Sequence, residues 1–274
     1  MSFWKTLQRR TFFWMFVLLA AYLVYIYPIQ RLTDWLNYPA LLNLPTIVGL
    51  WLLVTTVLRL SFRSSSRKLE LILYNWMGIG FVFFCLCFIY ELLRLGLALD
   101  DYWAGIGILI AGACITIFAL ATAQRLSCKQ LEFRDPKLTG KYRLVQISDV
   151  HIGSRSVGFL RYVVETINTQ NPDLIVITGD FLDAKRVQAE DIAPLKNLKA
   201  PVYFSIGNHE RYAGLDWVIP LLEDAGVVVL RSQAVKVGEL QLIGIDDAED
   251  KNQVRRELAK IELDPECFKI LLYH

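Results

Sequence analysis

Apolar residues are distributed along this chain in two different ways. Up to about residue 123 they form four long runs, roughly Thr11–Ile29, Ala40–Leu60, Leu71–Leu95 and Tyr102–Ala123. A helix needs about 20 mostly apolar residues to cross a bilayer, and each run is that long. Buried helices of a soluble bundle would carry polar faces at helical spacing, and these runs carry almost none. The first run is long and aromatic, lacks a small-residue cleavage site and is followed by three more, unlike a secretory signal peptide. The pattern predicts four transmembrane helices over residues 1–123.

Past a polar, basic linker at 124–141, which contains Pro136 and Gly140, the rhythm changes. Short apolar runs alternate with amphipathic stretches. Strands are expected at Leu144–Ile147, after Pro172, after Pro201, at Val227–Leu230 and from Phe268. A hairpin is expected over Ala234–Ile245, turning at Gly238-Glu239. Val157–Thr169 places Phe159, Leu160, Val163, Val164 and Ile167 at helical spacing. Further helices are expected at Ala189–Leu198, Leu215–Ala225, with Trp217 packing inward, and Asn252–Leu263. Strand and helix alternate throughout, so residues 142–274 read as an α/β domain with a largely buried sheet.

Charge sharpens the division. The chain has 29 Lys+Arg and 27 Asp+Glu, a net of +2. Residues 1–130 hold 11 basic and 5 acidic side chains, a net of +6; the remainder holds 18 and 22, a net of −4. Basic residues also alternate between the loops. Lys5, Arg9 and Arg10 precede the first run, and Arg59, Arg63, Arg67 and Lys68 lie between the second and third. Arg125, Lys129, Arg134 and Lys137 follow the fourth, whereas the first loop has only Arg31 and the third has Asp100 and Asp101. Basic loops stay inside. The expectation is a multi-pass protein of the cell membrane, with both termini and the α/β domain in the cytoplasm.

Within the runs, Glu91 and Arg94 read as an interfacial pair, and Pro45 as a first-turn or kink residue. Gly107 and Ala111 have a spacing usable for helix packing. Trp14, Tyr25, Tyr27, Trp51, Tyr90 and Trp103 are expected mostly as interfacial anchors. The five cysteines show neither a disulfide framework nor zinc-ribbon spacing. No basic patch interleaved with aromatics points to nucleic acid.

The chemistry lies at the strand ends. VQISDVHIG delivers Asp149 and His151; PDLIVITGDFLD delivers Gly179-Asp180; PVYFSIGNHE delivers Gly207-Asn208-His209-Glu210; FKILLYH delivers His274. The chain has three histidines, and each sits just past an apolar run. Ligands bind at the carboxyl ends of strands in open α/β sheets. Carboxylate, imidazole and amide donors suit divalent Mn, Fe or Zn. A carboxylate between two donor groups can bridge two ions about 3.5–4 Å apart. Such ions clamp the attacking and leaving oxygens of a phosphoryl displacement, and a water between them becomes the nucleophile.

D-x-H, then G-D, then G-N-H-[DE], in this order, resembles the successive motifs of the calcineurin-like metallophosphoesterases. Asp149 to Asp180 is 31 residues and Asp180 to Asn208 is 28. The resemblance covers about 139–274. It implies an α/β/β/α sandwich around a two-metal centre with a metal-bridging hydroxide. It implies that Asp149 and His151 bind the first metal, Asp180 bridges, and Asn208 and His274 bind the second. His209 would steady the transition state and protonate the leaving oxygen, with Asn208 and His209 touching substrate. Glu210 is expected behind the ligands, Asp183 as a turn cap, Asp246-Asp247 as a solvated loop, and Arg211 and Tyr212 as candidates for touching a phosphate. The family's last motif, Gly-His-x-His, would lie beyond His274, so the sequence reads as a fragment of a longer protein.

The expected function is a membrane-anchored, metal-dependent phosphohydrolase acting on a phosphomonoester, phosphodiester or pyrophosphate. A membrane tether favours a lipid-linked phosphate through its effective concentration, and a phosphorylated small molecule is the other partner class. The alternative is a non-catalytic membrane sensor or scaffold with a degenerate or truncated domain. A transporter would need charged residues facing a cavity between the helices, and the runs offer almost none.

Overall fold

The computed structural model describes residues 11–12, 15–38, 44–61, 67–183, 186–250 and 252–274. Lys5, Arg9, Arg10, Trp14 and Arg63, which entered the orientation and anchoring arguments, lie outside the described residues. The chain divides into two compact units, Met1–Ser127 and Cys128–His274.

The first unit is helical: α1 (Met15–Trp35), α2 (Leu44–Ser61), α3 (Arg67–Leu93) and α4 (Asp101–Ala123). Among the described residues, three helices are long and apolar enough to cross a membrane: Met15–Trp35, Leu71–Leu93 and Asp101–Ala123. Within the second run the described residues give the apolar helix Thr46–Val57, so three of the four expected spans stand as candidates among the described residues.

Helix α1 is irregular for a local reason. Pro28 has no N–H to offer the carbonyl four residues back, and the helix widens to a π-turn over Tyr22–Ile26. The Val24 carbonyl turns towards Gly80 of α3 and fills the space a Cβ would need there. Tyr25 and Tyr90, expected as interfacial anchors, are buried against neighbouring helices. Tyr25 is buried, stacks edge-on against Trp76 and donates its hydroxyl to the Leu73 carbonyl. Tyr90 packs edge-on against Trp35, with ring centroids 4.7 Å apart. Each ring fills a helix–helix gap that an aliphatic chain would leave open. Glu91 meets Arg31 at 2.9 Å and Arg94 at 3.6 Å, and Arg94 also meets Asp101 at 3.1 Å, so the expected pair is part of a small network.

The second unit contains two sheets. Strands β1 (Leu144–Ile147), β2 (Leu174–Thr178), β3 (Val202–Ser205) and β4 (Val227–Val229) form a parallel sheet in that order. Strands β5 (Gln233–Val237), β6 (Leu240–Gly244) and β7 (Phe268–Leu272) form the other. β5 and β6 are the antiparallel hairpin, turning with Gly238 at φ +59, and β7 joins β6 in parallel.

Side-chain alternation joins the sheets. Leu174 and Val176 of β2 share one cluster with Tyr203, Leu240, Leu242 and Leu272. Ile175 and Ile177, on the opposite face of β2, are fully buried as well. A strand buried on both faces reads as a continuous apolar run, as this one does. Each fully buried large side chain here, Phe204 included, contributes about 2–3 kcal/mol.

Helix α5 (Val157–Thr169) is capped by Ser156, whose hydroxyl accepts the Phe159 N–H, and it buries Leu160, Val163, Val164 and Ile167. Asn171, at φ +47, turns the chain out of it before Pro172. The expected 189–198 helix is one α-turn, α6 (Ala189–Ile192), continued as a 3₁₀ turn, Ala193–Asn197, around Pro194. Helix α7 (Asn208–Ala213) follows β3, and α8 (Leu215–Asp224) leads to β4. Trp217 is half-buried on α8. Helix α9 (Gln253–Leu258) is shorter than expected and buries no side chain.

The end of the linker is fastened to the hairpin tip. Glu239 accepts the N–H groups of Thr139 and Gly140 at 3.0 and 3.1 Å and the Thr139 hydroxyl. These bonds, the hydroxyl's foremost, hold its carboxyl below the usual carboxylate range.

Candidate metal centre

The ends of β1, β2 and β3 are drawn together by backbone. The N–H groups of Asp149, His151 and Ile152 donate to the carbonyls of Gly179, Asp180 and Phe181, so the loops after β1 and β2 run side by side. Asp149, His151 and Asp180 sit at φ +57, +54 and +52. That left-handed conformation is uncommon for residues other than Gly, and here three chemically active side chains share it.

Two glycines let β2 and β3 approach. A Cβ on Gly179, which has φ +79, would lie 2.7 Å from the Gly207 Cα and 2.8 Å from the His274 ring. A Cβ on Gly207 would lie 2.5 Å from the Asp180 nitrogen and run into its carboxylate.

Behind them stands Glu210, fully buried on α7. Its Oε2 accepts the N–H groups of Asp180 and Gly207, both at 2.9 Å. Its Oε1 accepts those of Phe181 at 2.7 Å and Leu182 at 2.9 Å. Burial pushes this carboxyl up from its ordinary range, and the backbone donors pull against it. Glu210 therefore faces the backbone of the loop, as a supporting rather than a ligating group.

Asp180 is at the centre. One carboxylate oxygen accepts the His209 N–H at 2.9 Å. The other lies 3.2 Å from His274 Nε2 and 3.9 Å from His209 Nε2. The opposite ring nitrogen of His274 is 2.9 Å from the Thr178 carbonyl. Donating there leaves the Nε2 lone pair aimed at Asp180, the usual orientation of a ligating imidazole. Burial disfavours the charged form of His274. The Thr178 carbonyl and the carboxylates of Asp180, Asp149 and Asp247 outweigh that effect and raise its pKa.

Donor atoms gather in two triples. His151, Asp180 and His209 each offer one within 4.8 Å of the others, and so do Asp149, Asp180 and His274. Asp180 belongs to both. The structure thus places four of the sequence-derived residues around the carboxylate of a fifth, Asp180, with His151 beside His209. Asn208, the first residue of α7, is half-buried between Gly207 and His209. Carboxylates and neutral imidazoles around a shared carboxylate fit divalent ions of the Mn, Fe and Zn type.

Neighbouring residues complete the setting. The Ser148 hydroxyl donates to the Asp149 carboxylate at 2.5 Å. Asp183 accepts the Ser154 N–H at 3.0 Å, a turn cap as expected, yet it also reaches within 3.8 Å of His151 Nδ1. Asp246 and Asp247 are not a solvated loop. Arg231 holds Asp246 at 2.9 Å, Arg211 holds Asp247 at 2.8 Å, and the Asp247 N–H donates to the Ile206 carbonyl. Arg211 is thereby committed to a carboxylate. The partners lie 15 and 36 residues away in sequence, and only the fold brings them together.

Residues 142–252 match the family model of the calcineurin-like phosphoesterases. An uncharacterized metallophosphoesterase of Campylobacter jejuni is 28% identical over 155 residues, 53% of this chain and 41% of that protein. A transmembrane protein with metallophosphoesterase domain from Danio rerio is 35% identical over 127 residues, 42% of this chain and 29% of that protein. The UDP-2,3-diacylglucosamine pyrophosphatase LpxG of Chlamydia muridarum is 34% identical over 95 residues, 31% of this chain and 28% of that protein. The chain covers less than half the length of each of these relatives. Three motifs in the family's order, folded so that their donors meet at Asp180, lie within the segment that matches the calcineurin-like phosphoesterase domain.

Proposed function

We propose that the chain is a membrane-anchored, metal-dependent phosphohydrolase with its α/β domain in the cytoplasm. The observation that carries this reading is the pair of donor triples sharing Asp180. Asp149, His151, Asp180, Asn208 and His274 would hold two divalent ions. Bound there, the ions supply Lewis acidity to the phosphoryl oxygens and lower the pKa of water near neutrality.

The chain's own groups do the rest. Asp180 is fixed by the His209 N–H and, through its own N–H, by Glu210, so its carboxylate cannot swing away. His274 is fixed by Thr178. His209 is more exposed than His274, on the open side of Asp180, where a protonated imidazole can give its proton to the departing oxygen. An α/β/β/α arrangement and the anchor both suit the family. The substrate class proposed is a phosphate or pyrophosphate presented at the membrane, in keeping with the pyrophosphatase named among the relatives.

The test separates binding from turnover. Purified full-length protein with Mn should hydrolyse bis-(p-nitrophenyl) phosphate. His209→Ala should keep its metal by elemental analysis while losing about 10²–10⁴-fold in turnover. Asp180→Asn should lose metal and activity together. Metal content unchanged in Asp180→Asn, or turnover unchanged in His209→Ala, would overturn the assignment.

A further inference from the structure

The helix that carries His209 presents a second ring beside it. Helix α7 is rotated so that Glu210 and Ala213, three residues apart, are buried. His209 and Tyr212 have the same spacing and share the other side, so they are neighbours one turn apart. Their ring centroids are 5.9 Å apart, and His209 in turn meets the His151 ring edge-on at 4.7 Å. Three rings thus form a row that starts among the donor atoms and ends in solvent. The Tyr212 ring is 65% exposed. The Arg211 guanidinium lies 6.0 Å from its centroid and is itself held by Asp247. Tyr212 therefore offers a wide, open aromatic face at a fixed distance from the candidate centre.

We infer that Tyr212 is a specificity-determining residue: it stacks on a planar aromatic ring carried by the phosphate of the substrate. This rests on the phosphohydrolase reading. A phosphate seated near His209 would direct its organic half outward along the row of rings. A π-face there favours an aromatic ring over an alkyl chain of the same charge, because stacking adds to the electrostatic attraction both share. The sequence offers Tyr212 as a phosphate contact; the structure places it one turn beyond His209, where the ester group would lie.

Equilibrium binding tests this without turnover, using phosphonates that cannot be hydrolysed. Full-length protein loaded with Mn should bind phenylphosphonate about tenfold more tightly than methylphosphonate, within the range that stacking on one aromatic side chain supplies. Tyr212→Ala should abolish that preference and leave methylphosphonate binding unchanged, and Tyr212→Phe should retain it. Uridine 5′-monophosphate against ribose 5-phosphate extends the comparison: a preference there but not for phenyl identifies the ring as a nucleobase. Binding without either preference, or a preference that survives Tyr212→Ala, overturns the role of Tyr212 alone. No binding of any of these anions overturns the phosphohydrolase reading with it.

Discussion

Asp149, His151 and Asp180 show how much of a site can be written in single backbone angles. Each sits at positive φ, a conformation costing on the order of 1–2 kcal/mol for a residue with a Cβ. The sequence gives no sign of it, because Asp and His carry no mark of handedness. The glycines beside them were legible as motif residues, but for different reasons. Gly179 needs both its φ of +79 and its space. Gly207 has φ −97, which any residue adopts, so space alone makes it glycine. Gly207→Ala should therefore displace the Asp180 carboxylate rather than disrupt β3. The expected result is a loss of about 1–3 kcal/mol in stability from overpacking, with Mn affinity down at least tenfold. Thermal melting and calorimetric titration read the two effects separately. Unchanged Mn affinity would mean that the loop gives way instead.

At the scale of elements, the alternating apolar runs of the second half were readable because a buried parallel strand has no polar residues to hide. β2 and β3 follow that rule up to their last residues, Thr178 and Ser205, and α5 covers the range its periodicity predicts. The burial of Tyr25 and Tyr90 was not legible, because an amphipathic ring suits an interface and a helix–helix gap equally well. Glu210 is where elements are joined: from α7 it gathers the ends of β2 and β3 through four N–H groups. Glu210→Gln replaces one acceptor oxygen by an NH₂ that faces backbone donors. It should cost about 3–5 kcal/mol, the price of breaking a buried charged network. At roughly 2–4 °C per kcal/mol for a domain of this size, metal-free protein should melt about 10 °C lower. A melting point within a degree or two of the parent's would show that the loop holds itself without Glu210.

For the whole molecule, the number of crossings and the side on which the domain lies are separate questions. Whether or not α2 spans the bilayer, α4 leads directly into the second unit and has strongly unequal ends. Its start carries Asp100 and Asp101, with Asp100 capping the helix by accepting the Trp103 N–H at 3.0 Å. Its end is followed by Arg125, Lys129, Arg134 and Lys137. Under the positive-inside rule this asymmetry is what the proposed cytoplasmic placement of the domain requires of α4. Cys128 reports on this directly. It is exposed just past α4, whereas Cys87 and Cys267 are buried and Cys85 and Cys114 lie within the apolar helices α3 and α4. In intact cells a membrane-impermeant maleimide should leave Cys128 unmodified and label it once the membrane is permeabilised, with Cys128→Ser removing the signal. Labelling of Cys128 in intact cells would put the α/β domain outside. A substrate delivered from the cytoplasmic leaflet would then be ruled out.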